Sequence, residues 1–228
     1  MRIGGLQKIT LVDYPGKVAA TVFTQGCTFR CPYCHNPELV LPERFEPVLD
    51  VEEFFDFLAT RVGKLEAVCI TGGEPTVQPD LSGFIRRIKD LGFLVKLDSN
   101  GSRPKQLGAI LAEGTVDYVA MDIKGPLEKY PLICGFPASM TKHISESIRL
   151  IMESGIDYEF RTTVADPLLD ISDFHVMGRM ITGAKRYFLQ NYQDTKSIDG
   201  TDLAPFSSQK LTACQAAMRP FVGEVGMR

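Results

Sequence analysis

The chain has 228 residues, of which 44% are hydrophobic and 23% are charged, and its formal net charge is −3 at pH 7. This length and composition are ordinary for one globular domain, and a slightly acidic chain argues against nucleic acid as the main partner. No run approaches the roughly 18 consecutive apolar residues of a membrane span, and the first residues lack a signal-peptide core. We therefore expect a cytoplasmic location and no membrane partner.

Strands and helices are predicted to alternate along most of the chain. The β-branched segment 18–24 is predicted as a strand buried on both faces, and the stretch 6–12 before it as an antiparallel edge strand. Further strands are predicted at 67–71, 94–98, 118–123, 158–164 and 185–190. Helices are predicted at 51–62 behind a capping box that starts at Asp50, and then at 81–91, from 104, at 141–154, at 172–181 and at 207–218.

Alternating strands and helices with short connections predict a parallel sheet with right-handed crossovers. Six βα units are too few for a closed eight-stranded barrel. The sequence therefore predicts an α/β fold with one domain over residues 1–228. We divide it into an N-terminal edge strand and turn (1–17), six βα units (18–190) and a C-terminal extension (191–228).

Three cysteines lie close together in the segment 24–37, TQGCTFRCPYCHNP, directly after the first parallel strand. Free cysteines pack as small hydrophobes and have no reason to cluster, whereas thiolates are the ligands that iron–sulfur clusters and zinc prefer. Cys27, Cys31 and Cys34 on a four-iron cluster would leave one iron open, which is typical of a reactive centre. A zinc knuckle is the alternative, but it needs a fourth ligand, and the adjacent His35 cannot easily complete a tetrahedron.

The Cys-x3-Cys-x-Tyr-Cys loop resembles the signature of the radical S-adenosylmethionine (radical SAM) enzymes. The resemblance implies an open (β/α)6 partial TIM barrel and a [4Fe-4S] cluster whose fourth iron is chelated by S-adenosylmethionine. It also implies that Tyr33 lies against the adenine and that the backbone of His35 contacts it. The implied reaction is one-electron cleavage of S-adenosylmethionine to a 5′-deoxyadenosyl radical that abstracts a hydrogen atom, under anaerobic conditions.

Further candidate residues follow the second and third parallel strands, where ligands bind in such folds. Gly72 and Gly73 allow a backbone to approach a ligand, and Glu74 can accept a hydrogen bond from a ligand ammonium. This turn resembles the family's motif for the amino group of S-adenosylmethionine. The resemblance implies that Ser99, or the amide of Asn100, reaches the ribose or the methionine moiety, although Asn-Gly is also an ordinary turn signal.

Charged residues mark the next strand ends. Asp122 and Lys124 are two residues apart, so their side chains point to one face of the strand. Resemblance to glycyl-radical activating enzymes implies that Asp98 and Asp122 coordinate a monovalent cation and that Lys124 contacts the cofactor carboxylate. An interior salt bridge would explain the same residues. Arg161, on the following strand, is predicted to bind a carboxylate through two parallel hydrogen bonds.

The segments 4–16 and 25–38 resemble the activating proteins of anaerobic ribonucleoside-triphosphate reductase. In that group the substrate is a glycine Cα–H of a glycyl-radical enzyme, and an electron donor such as flavodoxin or ferredoxin is implied. Two alternatives stay open at this point. One is a radical SAM enzyme that acts on a small molecule, such as a 7-carboxy-7-deazaguanine synthase, and the other is a non-catalytic iron–sulfur or zinc protein.

Overall fold

The computed structural model describes residues 1–193 and 202–228, and an eight-stranded sheet forms its centre. The strands are β1 (Ile3–Thr10), β2 (Ala19–Thr24), β3 (Ala67–Gly72), β4 (Leu94–Ser99), β5 (Tyr118–Asp122), β6 (Asp157–Val164), β7 (Arg186–Asn191) and β8 (Glu224–Met227). They lie side by side in chain order, with β1 antiparallel to β2 and every later pair parallel. Since β1 and β8 are the two edges, the sheet stays open.

Eight α-helices accompany these strands in the described part of the chain. They are α1 (Pro37–Val40), α2 (Val51–Ala59), α3 (Leu81–Asp90), α4 (Pro104–Ala112), α5 (Tyr130–Cys134), α6 (Lys142–Glu153), α7 (Ile171–Met180) and α8 (Ser208–Met218). Among residues 1–193 and 202–228, no helix has both the length and the apolar character needed to cross a bilayer. The predicted α/β architecture, an open partial barrel with an antiparallel N-terminal strand, is confirmed.

Two predicted elements differ from the structure by more than one residue, and one of them, the edge strand, begins at Ile3 rather than at residue 6. The edge strand ends at Thr10 rather than residue 12, because the Thr10 hydroxyl accepts hydrogen bonds from the backbone N–H of Val12 and Asp13 and so turns the chain. The helix α2 does begin at the predicted N-cap, where Asp50 accepts from two backbone N–H groups. It ends at Ala59, however, and leaves Val62 53% exposed.

The C-terminal extension contains more structure than the sequence predicted. The predicted helix is present as α8, and beyond it the short strand β8 pairs with β7 in parallel, with Leu189 opposite Met227. Its four residues include a glycine, so no strand pattern was visible in the sequence. Residues 194–201, which belong to the same predicted extension, lie outside the described residues.

The two faces of the parallel strands carry different residues, because successive side chains point to opposite faces. One face packs into the apolar core beneath the helices, with fully buried Val22, Ile70, Leu97 and Val119. The opposite face lines the interior of the open barrel, with Phe23, Thr71, Asp98, Asp122 and Arg161. The fold therefore gathers the ends of five strands around one space, and four of them contribute a polar side chain.

Candidate active site

A cavity of about 450 Å³ lies at the carboxyl ends of the strands. It brings together nearly all of the residues that the sequence singled out. Those that line it are Cys27, Cys31, Cys34, Tyr33, His35, Gly72, Gly73, Asp98, Ser99, Asn100, Asp122, Lys124 and Arg161. Glu74 is the exception, because its side chain is fully buried behind the wall.

The three clustered cysteines are free thiols on the cavity wall. Burial raises the pKa of the Cys27 thiol to about 12 and also raises the pKa of Cys34. Thiols in such surroundings ionise only when a positive centre is bound beside them, as in a thiolate-ligated metal site. Among the described residues, no three His, Cys, Asp or Glu side chains are gathered to hold a single metal ion, whereas the thiolates of a four-iron cluster bind separate iron atoms.

An aromatic group supports the cysteine loop from the side of the β5–α6 connection. The ring of Phe29 lies 5.0 Å from that of Phe136 and 6.0 Å from that of Tyr130, both in edge contacts. The backbone N–H of Arg30 donates to the carbonyl of Cys134, 2.8 Å away, at the end of α5. No helix was predicted at this position, since the five-residue α5 is too short for a periodic pattern.

The turn after β3 is packed against the start of the cysteine loop. Gly72 has a φ of +108°, and a Cβ there would lie 2.4 Å from the backbone nitrogen of Thr24. A Cβ on Gly73 would lie only 2.1 Å from the carbonyl oxygen of Gly26. We predicted that these glycines admit a ligand, and both do line the cavity. Glycine is nevertheless needed at both positions mainly because another backbone segment approaches too closely for a side chain to fit.

The carboxylate of Glu74 binds protein donors instead of facing the cavity. It accepts from the backbone N–H of Thr76 (3.1 Å) and of Asn100 (2.6 Å), and from the hydroxyl groups of Thr76 (2.5 Å) and Ser99 (2.9 Å). Burial raises the pKa of Glu74, while these hydrogen bonds act in the opposite direction. In this structure Glu74 therefore ties the end of β4 to the turn after β3, and its contact with a ligand ammonium stays a prediction.

Asn100 joins the end of β4 to the cysteine loop. Its amide nitrogen lies 3.0 Å from the hydroxyl oxygen of Thr28 and 3.7 Å from the sulfur of Cys27, as a donor to both. Its amide oxygen accepts from the backbone N–H of Ser102. This side chain is thus fixed on both sides, with a donor directed at one of the three sulfurs. The hydroxyl of Ser99, by contrast, is already engaged with Glu74.

The charged residues on the cavity wall form one network. Arg161 donates to Asp122 through Nε (2.9 Å) and to Asp98 through Nη2 (3.1 Å). Asp98 also pairs with Lys96, and Asp122 with Lys124 at 3.2 Å. Burial by itself would raise the pKa of Asp98 and of Asp122, but Arg161 and the two lysines outweigh it and hold both pKa values below their usual range.

This network changes the interpretation of two predicted sites. Arg161 was predicted to bind a ligand carboxylate, but protein carboxylates already engage Nε and Nη2. Asp98 and Asp122 were predicted to hold a monovalent cation, and each already contacts Arg161 and a lysine. The geometry therefore favours the alternative of an interior salt-bridge network.

Tyr33 and Lys124 form the polar part of the wall opposite the glycine turn. The hydroxyl of Tyr33 is buried and has no hydrogen-bond partner among residues 1–193 and 202–228, although buried hydroxyl groups usually have one. The Lys124 ammonium lies 5.7 Å from the centroid of the Tyr33 ring. His35 lies at the cavity mouth, where burial, followed by the charge of Lys124, lowers its pKa. An unsatisfied hydroxyl on a cavity wall is what a polar ligand would satisfy.

One group of interior residues was not predicted from the sequence. Arg228, at the end of β8, lines the cavity and pairs with the fully buried Glu159, which also accepts from the Tyr118 hydroxyl at 2.8 Å. Glu159 lies two residues before Arg161 on β6, and Lys96 lies two residues before Asp98 on β4. The period-two spacing to a predicted site residue was therefore a usable signal for Glu159 and Lys96. No such signal existed for Arg228.

Comparison with known proteins finds relatives at 31–34% sequence identity. A Methanocaldococcus jannaschii protein with the provisional name of a glycyl-radical enzyme activating enzyme is 31% identical over 204 residues, covering 86% of this chain and 82% of its own. The pyruvate formate-lyase-activating enzyme of Clostridium pasteurianum is 34% identical over 133 residues, covering 54% of this chain and 52% of its own. The 7-carboxy-7-deazaguanine synthase of Methanopyrus kandleri is also 34% identical over 133 residues, covering 50% and 52%.

The fold is shared with solved structures at low sequence identity. The crystal structure of Streptococcus suis SuiB bound to S-adenosylmethionine superposes with a TM-score of 0.68 and 13% identity, over 89% of this chain. This chain spans about half of that protein, 48% of its length. The sequence profile of the radical SAM superfamily matches residues 21–178, which include the cysteine loop and the strand ends around the cavity. The chain belongs to the radical SAM superfamily.

Proposed function

We propose that this protein is a glycyl-radical-enzyme activating enzyme and that its target is an anaerobic ribonucleoside-triphosphate reductase. The observation that carries the proposal is the 31% identity, over 86% of the chain, to a relative named as such an activating enzyme. The match to a pyruvate formate-lyase-activating enzyme over 54% of the chain supports the same class of target. The choice of the reductase rests on the resemblance in the segments 4–16 and 25–38.

Membership in the radical SAM superfamily implies a [4Fe-4S] cluster and S-adenosylmethionine. The residues present fit both groups, since one cavity is lined by three thiols and by the Tyr33 hydroxyl, which has no partner in the described part of the chain. Cys27, Cys31 and Cys34 would hold the cluster. When bound, the two groups supply one-electron cleavage of S-adenosylmethionine and a 5′-deoxyadenosyl radical. A protein donor such as flavodoxin or ferredoxin would supply the electron in an anaerobic cytoplasm.

The remaining wall residues would bind and orient the cofactor. Gly72 and Gly73 present backbone to the cavity without side chains, and Lys124 supplies a positive charge for a ligand carboxylate. Asn100 holds the cysteine loop through its donors to Thr28 and Cys27. The salt-bridge network around Arg161 keeps the wall polar yet nearly charge-balanced. Enclosure of the reacting atoms by this wall would limit quenching of the radical by water.

A second candidate function is a radical SAM reaction on a small polar molecule. The specific observation in its favour is the identity of 34% over half of the chain with a 7-carboxy-7-deazaguanine synthase. The two candidates share the cofactor residues and differ in what enters the cavity.

One experiment separates them. The protein, reconstituted anaerobically with iron and sulfide, is reduced and incubated with S-adenosylmethionine and a purified anaerobic ribonucleoside-triphosphate reductase. We expect a glycyl-radical doublet in the electron paramagnetic resonance spectrum and one 5′-deoxyadenosine for each radical. Absence of the doublet, despite steady formation of 5′-deoxyadenosine, would contradict the proposed target. A variant with Cys31→Ala serves as the control, because loss of a cluster ligand should remove both signals.

A further inference from the structure

Three segments of the chain meet beside the cysteine loop. The hydroxyl oxygens of Thr28 and Ser102 lie 2.6 Å apart, so the residues before α4 adjoin the loop. The backbone N–H of Arg30 donates to the carbonyl of Cys134 at 2.8 Å, which sets α5 and the connection to α6 against the loop as well. We call the surface that these segments form the loop surface; it consists of residues 28–30, 101–105 and 130–143.

The loop surface is basic. Arg30, Lys105 and Lys142 are exposed, and Arg103 is half-buried. None of these four side chains forms an ion pair within the described part of the chain. The guanidinium of Arg30 donates to two backbone carbonyls of the loop, which are uncharged, so its positive charge stays uncompensated.

Acidic residues are found only outside the three segments, which contain no aspartate or glutamate. The acids nearest in sequence are Asp98, Glu128 and Glu146. Asp98 is paired with Arg161 on the cavity wall, and the other two lie on the margins of the surface. Four basic residues therefore exceed two marginal acids, although the whole chain has a net charge of −3.

Exposed apolar side chains belong to the same surface. Leu132 on α5 is 74% exposed, and Met140 in the connection to α6 is 38% exposed. The neighbouring Ile133 and Cys134 are fully buried, so Leu132 is directed outward from the short helix. Exposed apolar residues together with charges of one sign are typical of a surface that binds another protein.

The position of the loop surface favours an electron carrier over the protein substrate. Cys27, Cys31 and Cys34 line the main cavity, whereas Arg30 and Lys142 do not. A substrate glycine has to enter the cavity, but an electron donor only has to approach the loop that holds the sulfurs. Since Arg30 directly precedes Cys31, a protein docked on this surface would lie against that loop.

We propose that the loop surface binds a small acidic protein that carries one electron and reduces this protein. The carrier loses one electron there and the group held by the three cysteines gains it, with no bond broken and no proton transferred. Because the chain is acidic overall, its charge would direct an acidic carrier to this basic surface and repel it elsewhere. The inference deepens the proposed function, since it locates the partner that supplies the electron, and it rests on the radical chemistry of that function.

Charge reversal at the two exposed lysines provides the test. The double variant Lys105→Glu/Lys142→Glu removes no ion pair, and glutamate is favourable in the first turns of α4 and α6. Binding of an oxidised acidic flavodoxin to the reconstituted holoenzyme is measured anaerobically by isothermal titration calorimetry at low salt. We expect a Kd about tenfold higher for the variant, which corresponds to about 1.4 kcal/mol. The Kd of the parent should also rise with salt.

The matched control reverses two other exposed charges. Arg179→Glu/Arg219→Glu makes the same change of net charge at the ends of α7 and α8, which precede β7 and β8 and so lie at the opposite end of the sheet. It should change the Kd less than about twofold. In stopped-flow experiments, reduced flavodoxin should reduce Lys105→Glu/Lys142→Glu more slowly than the parent. Photoreduced 5-deazariboflavin, a small uncharged donor, should reduce all three proteins at the same rate.

Different results overturn different statements. Equal Kd values for the parent and Lys105→Glu/Lys142→Glu, or an equal rise in the control, would refute the loop surface. So would a parent holoenzyme that binds neither an acidic flavodoxin nor an acidic ferredoxin. If the variant lost binding of the reductase and kept that of flavodoxin, the surface would belong to the protein substrate and the inference would be wrong. The proposed function is tested separately by the glycyl-radical doublet after reduction with 5-deazariboflavin, and absence of that doublet would refute the target without changing the flavodoxin result.

Discussion

Gly73→Ala should separate the cysteine loop from the sheet. The added Cβ would lie 2.1 Å from the carbonyl oxygen of Gly26 and 3.2 Å from that of Leu39, and both are backbone atoms that cannot rotate away. Two backbone hydrogen bonds hold this contact, from Glu74 to Gly26 (2.8 Å) and from Gly26 to Leu39 (2.7 Å). A shift large enough to relieve the overlap would break or lengthen both of them.

The cost can be worked out from these contacts. Two lost hydrogen bonds contribute about 2 kcal/mol, and overpacking against fixed backbone adds about 1–3 kcal/mol. The free energy of unfolding should therefore fall by about 3–5 kcal/mol. For a chain of this length that corresponds to a melting temperature lower by about 10 °C. The start of the cysteine loop should move with Gly26, so reconstituted iron per chain should fall as well.

The assay is thermal and urea unfolding, monitored by circular dichroism. Tryptophan fluorescence is no alternative, because the chain contains no tryptophan. The matched control is Gly83→Ala in α3, where a Cβ would meet only the end of the Arg86 side chain at 3.8 Å. That change should stabilise the protein by about 0.5–1 kcal/mol, since alanine is the better helix former. If Gly73→Ala unfolded within about 0.5 kcal/mol of the parent and bound full iron, the steric reasoning would be refuted.

Three further predictions follow from the site. Cys31→Ala should abolish reconstitution of the cluster and cleavage of S-adenosylmethionine. The control variant Cys214→Ala, in α8, should retain iron. Iron analysis and 5′-deoxyadenosine assays check both variants. Asn100→Ala removes the amide donor to the sulfur of Cys27, the proposed cluster ligand, so the reduction potential of the reconstituted cluster should become more negative in a redox titration; an unchanged potential would contradict that contact. Burial would raise the pKa of Asp122, but the charge of Arg161 lowers it. The contribution of the Asp122 carboxylate to stability is therefore complete above about pH 4 and is lost as the pH falls toward the lowered pKa. Urea unfolding between pH 7 and pH 3 should show a shallower acid decline for Asp122→Asn, and equal slopes would argue against the pairing.

Much of the site could be predicted from the sequence, because several of its residues are close together along the chain. The spacing of Cys27, Cys31 and Cys34 places three thiols on one loop whatever surrounds them. The βα alternation predicted that the loop and the turn at 72–74 would meet at the same end of the sheet, and the three cysteines line one cavity with Gly72 and Gly73. The period of two in a strand likewise predicted that Asp122 and Lys124 share a face, and they form an ion pair.

The partners of those residues could not be predicted, because they come from distant parts of the chain. Glu74 was expected to face a ligand, but Ser99 and the backbone of Asn100 supply enough donors to hold its buried carboxylate. Arg161 was expected to be available to a ligand, yet the register of β4, β5 and β6 sets Asp98 and Asp122 beside it. Which donor meets which acceptor is decided by strand register and burial, and neither is encoded in the local pattern.

By itself the sequence determined the cysteine loop, the order of strands and helices, and the end of the sheet where chemistry is gathered, since these depend on spacing and period along the chain. Only the tertiary structure decided that the glycine turn is fixed by backbone contact and that β8 brings Arg228 to the cavity. It also decided that basic residues from three separate segments lie beside the cysteine loop. The physical reason is that steric contact, desolvation and charge pairing depend on distances between residues far apart in the chain, and folding alone sets those distances.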